Sequence, residues 1–213
     1  MNCPVCDRKV NSAVCPRCGY NLENDLLTHN MLVGLSSNEM KNYNKSIEKQ
    51  KALYNELVAL RKQRTQENKQ LAEGLFERGY YYFNRRRYTT AESYFLQAIE
   101  YNHIQSYYYL GIMYRYGISQ GYFGIKRNPE KAFEYLLQAA KRMNHAVRAV
   151  ADMYLRGEGV QANEEEGVKM FERLIRRGDV QAFETLLEYY NKGYGCIVKD
   201  KDKAEALRRK YGE

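Results

Sequence analysis

The chain has no tryptophan and only three prolines among 213 residues, and three histidines. So few prolines, with a hydrophobic fraction of 44%, exclude a disordered, proline-rich linker protein. Long apolar runs are missing as well. The longest patch, Leu26 to Leu35, is interrupted by Thr28, His29 and Asn30 and falls far short of the ~20 residues that cross a bilayer. The opening MNCPVCDRKV lacks the apolar stretch of a signal peptide. A cytoplasmic protein with no membrane partner is the expectation. Concentrated charge is also absent. Residues 1–35 are neutral, residues 36–78 carry a net +3 and residues 79–213 a net +5 of the total +8, so charge alone does not mark a nucleic-acid binder. No nucleophile–His–acid spacing, phosphate-cradling glycine loop or H-E-x-x-H motif occurs. His29, His103 and His145 stand in unrelated contexts, and the expectation is no catalysis.

What the chain does hold is concentrated. Four of its five cysteines fall in the first eighteen residues, as Cys3-Pro4-Val5-Cys6 and Cys15-Pro16-Arg17-Cys18-Gly19. Each C-x-x-C lets two thiolates reach one ion from a tight turn, and two such turns supply the four sulfurs that structural zinc prefers. Disulfides are disfavoured without a secretory signal, and a redox pair would not need a second knuckle. The prediction is one structural Zn²⁺ held by Cys3, Cys6, Cys15 and Cys18 and closed to water. Metal binding would drive the folding of so small a unit. The fifth, Cys196, is read as a space-filler.

Residues 21–36 read as a linker. Ser36-Ser37-Asn38-Glu39 has the form of a capping box, and no proline or glycine then appears until Gly74. A long helix over 37–71 is predicted, with Gly74 as a hinge. Met40, Ile47 and Tyr54, with Tyr43, Gln50 and Leu57, form a coiled-coil-like seam. It would make either a homodimer through residues 37–60 or an N-terminal cap on the remainder of the chain. Arg61, Arg64 and Asn68 break the seam and favour the cap.

From residue 72 onward one phrase recurs: a small or apolar residue, Tyr three positions later and Gly three further on. The copies are Gly111/Tyr114/Gly117, Ala151/Tyr154/Gly157 and Leu187/Tyr190/Gly193, with an incomplete one at Gly79/Tyr82/Arg85. Their spacing of 32 to 40 residues is that of stacked helical repeats. Between the copies run second helices marked by Ala91/Phe95/Ala98, Ala132/Leu136/Ala139 and Gly167/Phe171/Leu174, offsets that place each trio on one helical face. The fourth trio, Ala204/Arg208/Tyr211, reads as an exposed terminal repeat. Asn128, Asn163 and Asp200 are predicted N-caps.

The N-terminal stretch resembles the short zinc ribbons of many bacterial proteins, with Asp7 where glycine is usual. The first repeat resembles a tetratricopeptide repeat, with His103 in place of the closing proline. The later ones resemble SEL-one-like repeats through Leu110, Gly111, Tyr114, Gly117, Lys131, Ala132, Ala139 and Ala140, through Tyr154, Gly157, Gly159 and Val160, and through Tyr190, Gly193, Gly195, Lys203 and Ala204. The resemblance implies an all-α fold: a right-handed α-solenoid of about four helix pairs over 72–213, behind the long helix and a four-cysteine zinc ribbon at 1–20. It also implies a cytoplasmic bacterial scaffold whose groove takes a protein or peptide. Candidate partner-binding residues are Tyr81, Tyr108, Arg115 and Arg148, with Tyr122 and Phe123 in the glycine- and aromatic-rich loop Ile118–Arg127. A nucleic-acid partner is the alternative, contacted by the ribbon and by the basic clusters at Arg85–Arg87, Lys141–Arg142, Arg176–Arg177 and Arg208–Lys210.

Overall fold

The computed structural model describes Cys3, Cys6, Arg8, Cys15 and residues 36–120 and 123–212, with the backbone alone at Ser119, Gln120 and Phe123. The chain divides into two compact units, Met1–Glu67 and Asn68–Glu213. Helix α1 (Ser37–Asn84) is 48 residues long. Its start is the expected capping box. The Ser36 backbone N–H donates to the Glu39 carboxylate at 2.8 Å, and the Glu39 N–H donates to the Ser36 hydroxyl at 3.4 Å. The Ser36 hydroxyl also donates to that carboxylate at 2.6 Å, and this bond, with the one from the Ser36 N–H, holds the Glu39 carboxyl below its ordinary value.

Gly74 is not a hinge: α1 runs unbroken through it. A lone interior glycine costs about 1 kcal/mol relative to alanine, too little to end a helix flanked by Leu71, Ala72 and Leu75. The expected seam is also different. Ile47 is buried and Met40, Tyr43, Tyr54 and Val58 are half-buried, all within one chain, whereas Leu57 is 54% exposed. The Met40–Ile47–Tyr54 face is therefore not free to pair two copies.

In the second unit the last turns of α1 pair with α2 (Tyr88–Glu100). Three further pairs follow: α3 (Ile104–Tyr116) with α4 (Pro129–Ala139), α5 (Asn144–Arg156) with α6 (Glu164–Ile175), and α7 (Val180–Lys192) with α8 (Lys201–Tyr211). Each helix packs on the next, which makes the expected all-α solenoid of helix pairs.

The packing follows the spacing of small and large residues. A Cβ placed on Gly79 would lie 2.6 Å from the Phe95 ring, one on Gly111 2.5 Å from Leu136, and one on Gly167 2.6 Å from Leu155. Glycine at these points lets one helix approach the other, and the large residue fills the groove. The trios of α2, α4 and α6 are all buried. In α8 the groove is filled by Leu207 (5% exposed) beside Ala204, not by Arg208, whose charge stays in water. The fourth repeat is thus packed and not merely terminal.

One device closes each of the last three pairs. The backbone N–H of Asn128, Asn163 and Asp200 donates to the carbonyl of Tyr114, Tyr154 and Tyr190 at 2.8, 2.9 and 2.8 Å. The side chains of the same residues accept from Lys131, Glu166 and Lys203 N–H at 2.9, 3.1 and 2.9 Å. A single residue thus satisfies an orphan carbonyl at the end of one helix and an orphan N–H at the start of the next.

The loop after α3 departs from the purely helical expectation. It forms an antiparallel pair, β1 (Ile118–Gln120) and β2 (Phe123–Ile125). Ile125 is 5% exposed and joins Phe95, Leu110 and Met113 in the first of two cores among the described residues. That core is rimmed by Phe76, Phe83, Tyr88 and Tyr109, while the second runs from Ala132 to Leu207. Among the described residues no helix is long and apolar enough to cross a membrane.

Successive repeats also meet at backbone level. Gly159 has φ +70°, and a Cβ there would sit 2.1 Å from the Pro129 carbonyl oxygen, whereas Gly178, at φ +82°, faces open space. Gly159→Ala should therefore lose about 2–4 kcal/mol, from left-handed strain plus a backbone clash, and Gly178→Ala only about 1 kcal/mol. Urea unfolding of the two variants checks the order.

Candidate functional site

Among the described residues two sets carry chemistry, one in each unit. In the first, the thiols of Cys3, Cys6 and Cys15 lie within 4.8 Å of one another, with Cys3 and Cys15 buried. The Cys3 N–H donates to the Arg8 carbonyl at 2.8 Å, which closes the turn of the first knuckle. Cys6 and Cys15 Sγ are 3.6 Å apart. Zn–S bonds of ~2.3 Å in a regular tetrahedron separate their sulfurs by roughly 3.8 Å, so the three thiols fit that ion. Cys18, the fourth expected ligand, lies outside the described residues.

The second set lies where the first helices of successive repeats touch. The Tyr108 ring of α3 meets His145 of α5 edge-on, with centroids 4.8 Å apart. Further along α3, Arg115 donates through Nη2 to Asp152 of α5 and through Nε to Glu158 at 2.9 Å. Asp152 in turn accepts from the Tyr189 hydroxyl of α7 at 3.1 Å. Arg127 donates to the other Glu158 oxygen at 2.7 Å. A hydrogen-bonded line thus crosses α3, α5 and α7 at a constant offset of 37 residues.

The expected binding residues divide on this frame. Arg115 does not face a ligand, contrary to expectation: it is 3% exposed and held by two carboxylates. Burial works against its charge, yet Asp152 and Glu158 prevail and hold the guanidinium more firmly protonated than usual. Arg148 is half-buried, and its Nη1 donates to both Asp179 oxygens at 2.8 and 2.7 Å. Asp179 is itself the N-cap of α7, accepting from the Ala182 N–H at 2.9 Å. Both arginines are therefore spent inside the repeat stack. Tyr108 is half-buried, its hydroxyl pushed up by burial and by Tyr116. Tyr81 is 49% exposed, with the Arg85 guanidinium 4.4 Å above its ring. Tyr122 and the Phe123 side chain lie outside the described residues.

Sequence alone does not single out several participants. Tyr80 packs edge-on to Tyr109 at 5.6 Å, and Tyr116 is 64% exposed. Tyr194 stacks on Tyr189, with centroids 3.9 Å apart and planes 4° from parallel, while Arg156 lies over Tyr194 at 5.7 Å. Burial and Asp152 push the Tyr189 hydroxyl above its ordinary range. The signal that would find Asp152 is the 37-residue offset, which is invisible until Arg115 is known to point at the next repeat. His103, a departure from the repeat pattern, has a role of its own as the N-cap of α3, accepting from the Ser106 N–H.

Residues 104–142, 145–179 and 188–207 match the Sel1 repeat family. Among solved structures, a Sel1 repeat protein from Oxalobacter formigenes is similar, with a TM-score of 0.54 and 20% identity over 76% of this chain and 64% of that one. The chain spans just under two thirds of that protein's length, and the likeness concerns the fold. A protective antigen of uropathogenic Escherichia coli strains with an SLR fold aligns over 66% of this chain and 38% of its own, at a TM-score of 0.45 and 20% identity. No curated protein matches the chain in sequence.

The Arg115 network makes stability depend on acid. Burial would raise the Glu158 carboxyl, but Arg127 and Arg115 outweigh it and hold the group below 4.5, its ordinary value. A depressed carboxyl stabilises the fold at neutral pH and loses that contribution as pH falls through 4.5 and below. Glu158→Gln should therefore lower the urea midpoint at pH 7 and shrink the difference from wild type as pH falls toward 3. Asp152→Ala, which leaves Arg115 with one carboxylate, should cost about 2–3 kcal/mol at pH 7.

Proposed function

We propose that this chain is a non-catalytic adaptor. It binds a segment of another protein on the face made by the first helices of its repeats, and a cysteine-held zinc ribbon at its N-terminal end is a second contact module. Sel1 repeat proteins generally act as adaptors between proteins. The observation that carries the reading here is the internal pairing of Arg115 and Arg148. With these cations consumed, the face offers rings instead: Tyr80, Tyr81 and Tyr116, each 41–64% exposed, beside half-buried Tyr108 and Tyr109. Tyrosine gives large contact area with a polar rim at little entropic cost, which suits an apolar peptide or helix better than a charged one.

A second reading has its own observation. Lys141–Arg142, Arg176–Arg177 and Arg208–Lys210 lie at the ends of the second helices of three successive repeats, so the topology brings them to one edge of the stack. Among the described residues no carboxylate is within ion-pair distance of Arg142, Arg176, Arg177 or Arg208. Such an edge fits a nucleic-acid backbone.

Salt separates the two. Peptides selected on the purified protein should be apolar and bind with less than a threefold change between 50 and 500 mM salt, and Tyr81→Ala with Tyr116→Ala should weaken them about tenfold or more. A steep loss of binding with salt, seen instead for duplex DNA or RNA and abolished by Arg176→Glu with Arg177→Glu, would select the second reading. For the ribbon, metal analysis of the reduced protein should return about one zinc per chain. Cys3→Ser with Cys15→Ser should remove it; no zinc in the wild type would refute this part.

A further inference from the structure

The helical repeats do not account for the long exposed stretch of α1. From residue 59 to residue 71 every side chain is exposed, and Leu53, Leu57, Leu60 and Leu71 are 48–55% exposed. These leucines belong to a heptad register of alternating three- and four-residue steps. It is offset from the covered Met40–Ile47–Tyr54 face and extends from Gln50 to Tyr81. At 1.5 Å per residue that stripe is roughly 47 Å long.

Register and chemistry together name what covers it. In a parallel pair of identical helices each position meets itself, so Arg64 would face Arg64 and Glu67 would face Glu67. An antiparallel pair related by a two-fold axis between residues 65 and 66 is complementary instead. Arg64 then faces Glu67 of the second copy, and Leu60 faces Leu71. Leu57 faces Gly74, Leu53 lies along the aliphatic stem of Arg78, and the Gln50 amide meets the Tyr81 hydroxyl. Each layer occurs twice. Among the described residues neither Arg64 nor Glu67 has an ion-pair partner within the chain, although Gln63 donates to Glu67 at 2.9 Å. Gly74 is the most informative position. A glycine inside a helix is unfavourable, and here nothing lies within 4 Å of where its Cβ would be, so packing inside the chain does not require it. Opposite Leu57 of a second copy, its small size has a use.

We propose that two copies of this chain pair through α1 as an antiparallel two-helix coiled coil centred on the Arg64–Glu67 layers. The leucine layers supply the apolar burial, and the central polar layers fix register and orientation. Tyr81 lies on both this stripe and the adaptor face. The test therefore uses the leucine and Arg64–Glu67 layers, which the adaptor reading does not use, and the proposal survives the failure of that reading.

The test uses the full chain. Sedimentation velocity from 1 to 100 µM should show concentration-dependent association to twice the 25.1 kDa chain mass. Leu60→Glu with Leu71→Glu should leave a monomer with unchanged helical circular dichroism, since both positions are already exposed. Arg64→Glu and Glu67→Arg should each weaken association about tenfold or more, and the double exchange should restore it. Benzoylphenylalanine at position 60 should crosslink to the neighbourhood of Leu71 in the second copy. A monomer at 100 µM, association indifferent to the leucine changes, or crosslinking of position 60 to position 60 would overturn the proposal.

Discussion

The second unit depends on one junction made three times. A helix ends with carbonyls that have no partner, and the next begins with N–H groups that have none. At Asn128, Asn163 and Asp200 both needs are met by a single residue. Its backbone donates to the tyrosine carbonyl behind it, and its side chain accepts from the N–H three positions ahead. Because the tyrosine carbonyl is fixed by its own helix, the bond sets where the chain must be when it turns back. The helix pair then closes at the distance at which Gly111 can meet Leu136. Loop length is free to vary between these two ends, and it does. The second repeat accommodates a β-hairpin between Gly117 and Asn128 without disturbing the junction.

Stacking of one pair on the next rests on different forces in different places. Between the first two repeats the contact is aromatic, with Phe76, Phe83, Phe95 and Tyr109 in mutual edge and offset arrangements. Between the later repeats aliphatic packing is joined by the Arg115–Asp152–Tyr189 line. A buried ion pair contributes little net stability against a well-packed apolar alternative, because desolvation offsets most of its attraction. What it adds is orientation. Carboxylates from α5 and from the loop after it converge on one guanidinium, so a neighbouring repeat that shifted by one helical turn would leave that charge buried and unpaired. The same logic applies to Arg148 and Asp179, where the carboxylate is also a helix cap.

Most of the repeat architecture is legible in the sequence because its causes are local. Small–large spacing, capping residues and left-handed glycines act within a few residues of themselves, so the second-helix trios and three caps can be placed from the chain alone. What escapes a sequence reading is mainly what lies across a gap. Arg115 and Arg148 carry a charge that the sequence shows and a partner 31–43 residues away that it does not. Leu207 takes the groove in place of Arg208 because offsets of three and four both fall on the inner face of a helix, and only packing decides between them. The hairpin passes for a plain loop because three-residue strands leave almost no alternation to detect. Gly74 suggests a break because glycine is a weak helix former, though one residue cannot outweigh the helix formers around it.

Periodicity also decides where function can reside. Residues that repeat in phase are committed to packing, and a ligand that used them would have to open the core. The departures from the period are free of that duty. They include Tyr116, Arg85 stacked on Tyr81, the basic turns at the ends of the second helices, and the exposed leucines of α1. Tyr82, Tyr114 and Tyr154 show the limit of this rule. They occupy the same repeated position and are only half-buried, because each ring seals the pair while one edge stays near water. The Tyr114 hydroxyl uses that edge to reach Glu92 of the preceding repeat. Lys131 lies over the Tyr114 ring and Lys203 over the Tyr190 ring, whereas the third repeat has Glu166 at the lysine position and forgoes that contact. The clefts beside these tyrosines therefore differ in charge although the backbone beneath them is the same, which is how a repeat stack acquires distinct surfaces without changing its fold.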